Sequence, residues 1–131
     1  MKVNCNDEGI RKSVEIIENG GVIIFPTDTV YGIGCNPYDA NAVKKIYEIK
    51  SREKIKSLPV LVSSIEIVKQ ISIIDEFTEK IIKKYWPGPL TLILKIKDKN
   101  LKKSLNLEDK IAVRIPNSEC TLKLLNKCDL L

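Results

Sequence analysis

The chain has 131 residues and a formal net charge of +5, with 44% hydrophobic and 30% charged residues. This length fits one domain with its own core, and no apolar run approaches the ~20 residues that a membrane-spanning helix requires. The chain has no histidine, which excludes the commonest general base and the Ser-His and Cys-His nucleophile pairs. With no signal-peptide pattern, we expect a cytoplasmic protein that acts through binding and charge on anionic partners.

The four cysteines are widely spaced and contain no C-x-x-C pair. Without histidine, their spacing does not match a zinc site. We therefore expect reduced structural thiols and no metal site built by protein side chains alone.

The first half of the chain alternates helical and strand patterns. Apolar residues at helical spacing predict a first helix over residues 7–19 that ends at a glycine pair. The apolar run 22–25 predicts a buried strand, which leads into the glycine-rich loop 26–34. A second helix is expected over residues 39–50, with Asp39 as its N-cap.

The middle of the chain continues this alternation. Residues 58–62 predict a buried strand, and a capping box from Ser63 to Glu66 predicts a short third helix. A fourth helix is expected over residues 75–85. It should end near Trp86, because two prolines follow.

The last third of the chain completes the pattern. Strands are expected over residues 90–94 and 111–115, joined by a charged excursion over 95–109 that we interpret as a hairpin. Asn117 or Ser118 is placed to cap a final helix. Continuous apolar strands alternating with helices predict an α/β domain whose sheet is covered by helices.

The loop 26–34 has the composition of a binding loop. Gly32 and Gly34 allow a backbone to approach a ligand closely, and the Thr and Tyr hydroxyls can donate and accept hydrogen bonds. The alternative is a glycine-rich corner whose hydroxyls satisfy the local backbone. The loop alone favours neither interpretation.

Two further features carry positive charge. The run 50–56 holds four cations, which could converge on a phosphate or could be solvated at a helix C-terminus. Arg114 lies within an apolar strand, where a buried charge needs a partner. That partner is either an internal carboxylate or an anionic ligand.

Four segments, in this order, resemble the Sua5/YrdC/YwlC family of threonylcarbamoyl-AMP synthases. They are residues 20–34, the Lys50-x-Arg52 motif with Lys56, residues 86–91, and Val113-Arg114-x-Pro116. The resemblance implies a YrdC-like twisted open sheet of mixed strands flanked by helices. It also implies synthesis of threonylcarbamoyl-AMP and diphosphate from L-threonine, bicarbonate and ATP with Mg²⁺, for N6-threonylcarbamoyladenosine in tRNA.

Site residues follow from the resemblance, motif by motif. Threonine binding is carried over to Thr29, Tyr31 and Arg114. ATP binding is carried over to Lys50, Arg52 and Lys56. No catalytic residue is assigned. The implied partners, besides the substrates, are tRNA and other proteins of the same modification.

The chain also departs from the family pattern. Glu53 stands where a proline is usual, and Leu61 stands where some members have a histidine. The family continues into a Ser-Ala-Asn segment that helps to hold ATP and threonine, whereas this sequence stops at Leu131. We therefore expect residues 1–131 to form a single YrdC-like domain that lacks its C-terminal part.

Two other classes of function stay open. One is a double-stranded RNA-binding module, and the other is an inactive relative or a carbamoyl-transfer module. A closed pocket between Arg114 and Thr29 would favour a small substrate. A flat basic sheet with Arg114 buried against a carboxylate would favour RNA.

Overall fold

The structure is a computed structural model, which describes residues 2–28, 31–50 and 58–128. Helices and strands alternate along the chain, as predicted for an α/β fold. In order they are α1 Asp7–Glu18, β1 Ile23–Phe25, β2 Gly32–Gly34, α2 Ala40–Lys50, β3 Val60–Leu61, α3 Ile65–Ile71, β4 Ser72–Ile73, α4 Glu76–Tyr85, β5 Leu92–Ile96, α5 Lys99–Ser104, β6 Lys110–Arg114 and α6 Glu119–Cys128.

The strands form two sheets. β1 and β2 make an antiparallel pair, and the other four strands lie in the order β3-β6-β5-β4. β3 runs parallel to β6, whereas β5 is antiparallel to both of its neighbours, β6 and β4. The four-stranded sheet is therefore mixed and flanked by helices, which confirms the predicted fold class.

Side-chain caps explain where the helices begin. The backbone N–H groups of Asn41 and Ala42 donate to Oδ1 of Asp39, at 3.0 and 3.2 Å, which confirms the predicted cap of α2. Asp75 accepts from the N–H of Thr78 at the start of α4 in the same way. These bonds satisfy backbone donors that have no partner within the helix.

One local prediction was incomplete and one was wrong. The charged excursion 95–109 joins the antiparallel neighbours β5 and β6, as a hairpin connection does, but it also contains helix α5, which Asp98 caps and whose Leu101 is fully buried. The N-cap of α3 is Ser64, not Ser63, and its side chain makes no capping hydrogen bond. Short polar segments give weak periodicity, so the sequence pattern did not reveal α5.

The expectation of four reduced thiols was also wrong. Cys5 and Cys120 form a disulfide with a Cα–Cα distance of 5.9 Å, although they are 115 residues apart in sequence. Cys35 and Cys128 lie outside it. The bridge exists because α1 packs against α6, a proximity that cysteine spacing does not reveal.

The apolar residues form two clusters. The larger one lies against one face of the four-stranded sheet and includes Val43, Leu94, Leu101 and Val113. The smaller one joins α1, β1, β3 and α6, and it consists of Ile10, Ile17, Phe25, Leu61, Leu124 and Leu125. Within the described ranges, no helix combines the length and apolar character that crossing a bilayer would require.

Part of the sheet remains open. Along β5 the side chains alternate, with Leu94 and Ile96 buried and Ile93 and Lys95 exposed. Ile73 of β4, paired with Lys95, is exposed on the same face. Helices therefore cover one face of β5, while the other face meets solvent.

Candidate functional site

A cavity of about 260 Å³ lies between the β1–β2 pair and the ends of β3 and β6. Its walls come from segments far apart in sequence. They include Phe25, Tyr31, Gly32, Cys35, Leu58, Leu61, Thr91 and Arg114. The volume lies just below the roughly 300–1,000 Å³ of pockets for drug-sized ligands, so it suits a small molecule.

The β1–β2 wall depends on a close approach. Phe25 of β1 pairs with Gly32 of β2, and a Cβ atom at position 32 would lie 2.9 Å from Cε2 of Phe25. Real Cβ contacts are longer, so glycine at position 32 allows the buried phenylalanine ring to lie over the neighbouring strand. The glycine-rich loop is therefore partly a strand.

Arg114 is the last residue of β6 and pairs with Leu61 of β3. Its Nη2 donates a hydrogen bond to Oδ1 of Asp28 at 2.6 Å. The two side chains are only 9% and 12% exposed. The partner of the buried arginine is therefore an internal carboxylate, which is the arrangement expected for RNA binding. Arg114 also lines the cavity, which is the position expected for binding a small substrate.

The segment that carries Asp28 is tied to α6. The hydroxyl of Thr121 donates to the carbonyl oxygen of Pro26, and Thr121 is almost completely buried. Together with the Asp28–Arg114 ion pair, this bond attaches the start of the loop to both α6 and β6. The site loop thus leaves β1 from a fixed position.

The electrostatic character of the cavity is simple. Among the described residues that line it, Arg114 is the charged one, and hydroxyls come from Thr27, Tyr31 and Thr91. Burial, followed by the nearby Asp39 charge, raises the pKa of the Cys35 thiol to about 12, so this thiol stays neutral and is a poor nucleophile. The described walls fit a small anion with an apolar part, held by binding instead of by a covalent bond.

The predicted site residues divide into two groups. Tyr31 and Arg114 line the same cavity. Thr29, Arg52 and Lys56 lie outside the described residues. Lys50 is the last residue of α2, but the structure describes only its backbone. For these four residues the sequence prediction stays a prediction.

Sequence reasoning did not single out Asp28. It is separated from Arg114 by 86 positions, so no local pattern joins them. A buried arginine generally needs a carboxylate partner, and Asp28 is the acidic residue of the loop 26–34. That rule could have made Asp28 a candidate. Only the folded chain shows which carboxylate pairs with Arg114.

The described side chains include no acidic cluster for the predicted Mg²⁺. In residues 2–28, 31–50 and 58–128, no group of three or more acidic, cysteine or histidine side chains could hold a metal ion. The carboxylate beside the cavity, Asp28, is already paired with Arg114. Magnesium is commonly bound through phosphate oxygens of a ligand, and its binding together with ATP stays a prediction for this chain.

A family model and several curated relatives match this chain. The Sua5/YciO/YrdC model, described as "Telomere recombination", matches residues 15–131. A threonylcarbamoyl-AMP synthase of Pyrococcus abyssi is 39% identical over 117 residues, covering 88% of this chain and 34% of that protein. One of Bacillus subtilis is 33% identical over 131 residues, covering 98% and 38%. The chain thus spans about a third of the length of these relatives.

Solved structures have the same fold. The crystal structure of P. abyssi Sua5 complexed with L-threonine matches with a TM-score of 0.86 and 36% identity, covering 96% of this chain and 37% of that one. Escherichia coli YciO matches with a TM-score of 0.82 and 26% identity, covering 93% and 59%. These similarities extend over nearly all of the present chain.

Proposed function

This chain belongs to the Sua5/YciO/YrdC family, and we propose on that premise that it acts as a threonylcarbamoyl-AMP synthase. The proposed reaction joins L-threonine, bicarbonate and ATP, releases diphosphate and serves N6-threonylcarbamoyladenosine formation in tRNA. One observation carries the proposal: a small cavity in which a buried arginine is the charged group among the described lining residues. The names of the two similar curated relatives agree with it.

The proposed threonine site is built around Arg114. A guanidinium binds a carboxylate through paired N–H donors, and the apolar and hydroxyl groups beside it suit the methyl and hydroxyl of threonine. P. abyssi Sua5, a relative with 36% identity, was crystallised with L-threonine. We assign threonine binding to Arg114, Tyr31 and Thr29.

The proposed ATP site uses the basic run that follows α2. Arg52 and Lys56 would contact the nucleotide, and Lys50 would face its phosphates. Mg²⁺ would arrive with ATP and would reduce the negative charge of the triphosphate. Arginine and lysine are suited to this role, since both carry the donors and charge that phosphate oxygens require.

Catalysis in this proposal rests on positioning. The threonine nitrogen and bicarbonate form a carbamate with loss of water. A carbamate oxygen then attacks the α-phosphorus of ATP, and the bond to diphosphate breaks. Holding the two substrates in line and balancing charge on the leaving group are tasks for fixed cations, so a neutral Cys35 and a chain without histidine are no obstacle.

The test is diphosphate release from ATP by this chain, measured with and without L-threonine and bicarbonate. We expect release to need both. Arg114→Gln should weaken threonine binding by about tenfold or more, because a charge-assisted hydrogen bond is lost. Arg11→Gln is the matched control, since Arg11 lies on α1 in an exposed pair with Glu15.

Two results would contradict the proposal. One is diphosphate release that is independent of threonine. The other is calorimetry in which L-threonine binds with the same affinity to the unchanged chain and to the Arg114→Gln variant. Because the chain spans about a third of the two curated relatives, binding and turnover are measured separately.

A cytoplasmic location is part of the same proposal, and the disulfide provides its test. Disulfides are rare in reducing compartments, whereas Cys5 and Cys120 are bonded here. Trapping thiols in intact cells with an alkylating reagent, followed by mass spectrometry, would give their state. Full alkylation of both residues would support a cytoplasmic location, whereas protection of both would match the bonded pair of the structure and contradict that location.

A second candidate function is supported by the open sheet face. Lys95 and Lys110 are directly paired across β5 and β6 and both are exposed, beside exposed Ile93. Like charges opposite each other destabilise a sheet, so an anionic partner such as double-stranded RNA would relieve their repulsion. Lys95→Gln with Lys110→Gln should then weaken RNA binding and reduce its salt dependence, whereas unchanged binding would exclude this face.

A further inference from the structure

Asp28 is the one member of the Arg114 ion pair that does not line the cavity. Its Oδ1 accepts the hydrogen bond from Nη2 of Arg114 at 2.6 Å, while Arg114 alone reaches the cavity wall. Building on the proposed function, we propose that Asp28 is a positioning residue, which holds the guanidinium with its other N–H donors toward the cavity. Asp28 would thereby determine how strongly the site prefers a ligand that carries a carboxylate.

The geometry leaves donors of Arg114 available for a ligand. A guanidinium has five N–H donors in a rigid plane, and Asp28 is its hydrogen-bond partner among the described residues. The side chain is nearly buried, so its remaining donors have little access to bulk water. A planar group fixed along one edge can present another edge to a carboxylate in a single orientation.

Asp28 can hold the arginine only because its own backbone is held. It lies two residues beyond Pro26, whose carbonyl accepts the hydroxyl hydrogen of buried Thr121 on α6. Arg114 itself is the last residue of β6, an inner strand of the mixed sheet, and it pairs with Leu61 of β3. Both ends of the ion pair are thus attached to packed elements, and the long arginine side chain loses the freedom that an exposed one would keep.

Charge supports the same assignment. A nearly buried guanidinium without a carboxylate would be costly in the absence of ligand. Asp28 supplies that carboxylate from outside the cavity wall, which leaves the wall itself free of a negative charge that would repel an anion. A carboxylate placed inside the cavity would pair with the arginine equally well but would block the ligand.

The first test measures how strongly the site prefers L-threonine over L-threoninamide, and not only how tightly it binds one ligand. Calorimetry gives the ratio of dissociation constants for L-threoninamide and L-threonine, which differ in the carboxylate. Asp28→Ala should lower this preference by about tenfold or more, since an unaligned guanidinium loses a charged hydrogen bond. Asp28→Asn keeps an acceptor oxygen and should retain part of the preference. Glu108→Gln removes an exposed carboxylate that does not line the cavity and should leave it unchanged.

A second test does not depend on any ligand. NMR signals of the Arg114 guanidinium, assigned by their loss in Arg114→Lys, should be resolved in the unchanged chain and averaged by bond rotation in Asp28→Ala. Resolved signals in Asp28→Ala would overturn the positioning role. So would an Asp28→Ala variant that is less stable but keeps its full preference for L-threonine over L-threoninamide. Failure of the unchanged chain to bind threonine would instead refute the proposed function, and the NMR result would still decide the role of Asp28.

Discussion

The Cys5–Cys120 disulfide gives the sharpest stability prediction. It joins the segment before α1 to the first turn of α6 across 115 residues of sequence. Closing a loop of this length removes entropy from the unfolded chain, and the chain-entropy relation gives about 5 kcal/mol at 25 °C. Domains of this kind are stable by only about 5–15 kcal/mol. Reduction should therefore remove between about a third and all of the stability of the domain.

Urea denaturation followed by circular dichroism measures the effect. With a slope of about 1–3 kcal/mol per molar urea, a loss of about 5 kcal/mol lowers the midpoint by about 2–5 M. Cys5→Ser with Cys120→Ser should match the reduced protein and should not respond to a reducing agent. Cys128→Ser changes a cysteine outside the bridge and serves as the control. Equal midpoints for the oxidised and reduced chain would refute the reasoning.

Three further predictions concern buried groups. Burial raises the pKa of Cys35 from 9.0 to about 12; the unfolded chain therefore loses this proton first, and the stabilisation present below about pH 9 is lost as the pH rises toward 12. Between pH 9 and pH 11, the free energy of unfolding should fall less in Cys35→Ala than in the unsubstituted protein, by up to about 1.4 kcal/mol per pH unit. Denaturation at the two pH values measures this difference. The indole N–H of Trp86 donates to the carbonyl of Leu90 at 2.6 Å, so Trp86→Phe should cost about 1–3 kcal/mol in thermal unfolding. Thr121→Val removes the donor to the carbonyl of Pro26 and should cost more than Thr121→Ser, which keeps the hydroxyl; equal losses would contradict this.

Most of the secondary structure could be predicted from local patterns. The helix over 7–19 and the cap at Asp39 appear in the structure almost as expected, because amphipathic spacing and capping act between residues close in sequence. Strand β2 was not predicted. Its three residues include two glycines, and pairing with β1 decides its conformation.

The site could be predicted only in part. Tyr31 and Arg114 were singled out from their motifs, and the folded chain brings both to one cavity. The choice of Asp28 as the partner of Arg114 could not come from either segment alone, because the two residues are 86 positions apart. The same holds for Cys5 and Cys120.

Local sequence is enough to predict the alternation of helices and strands, the order of the motifs and the presence of a strand arginine that needs a partner. Those features depend on short-range periodicity and on the cost of burying a charge. Tertiary structure alone decided which carboxylate faces Arg114, which cysteines are bonded and where a cavity forms. Each of these depends on contacts between distant segments, which packing of the two sheets with α1 and α6 brings together.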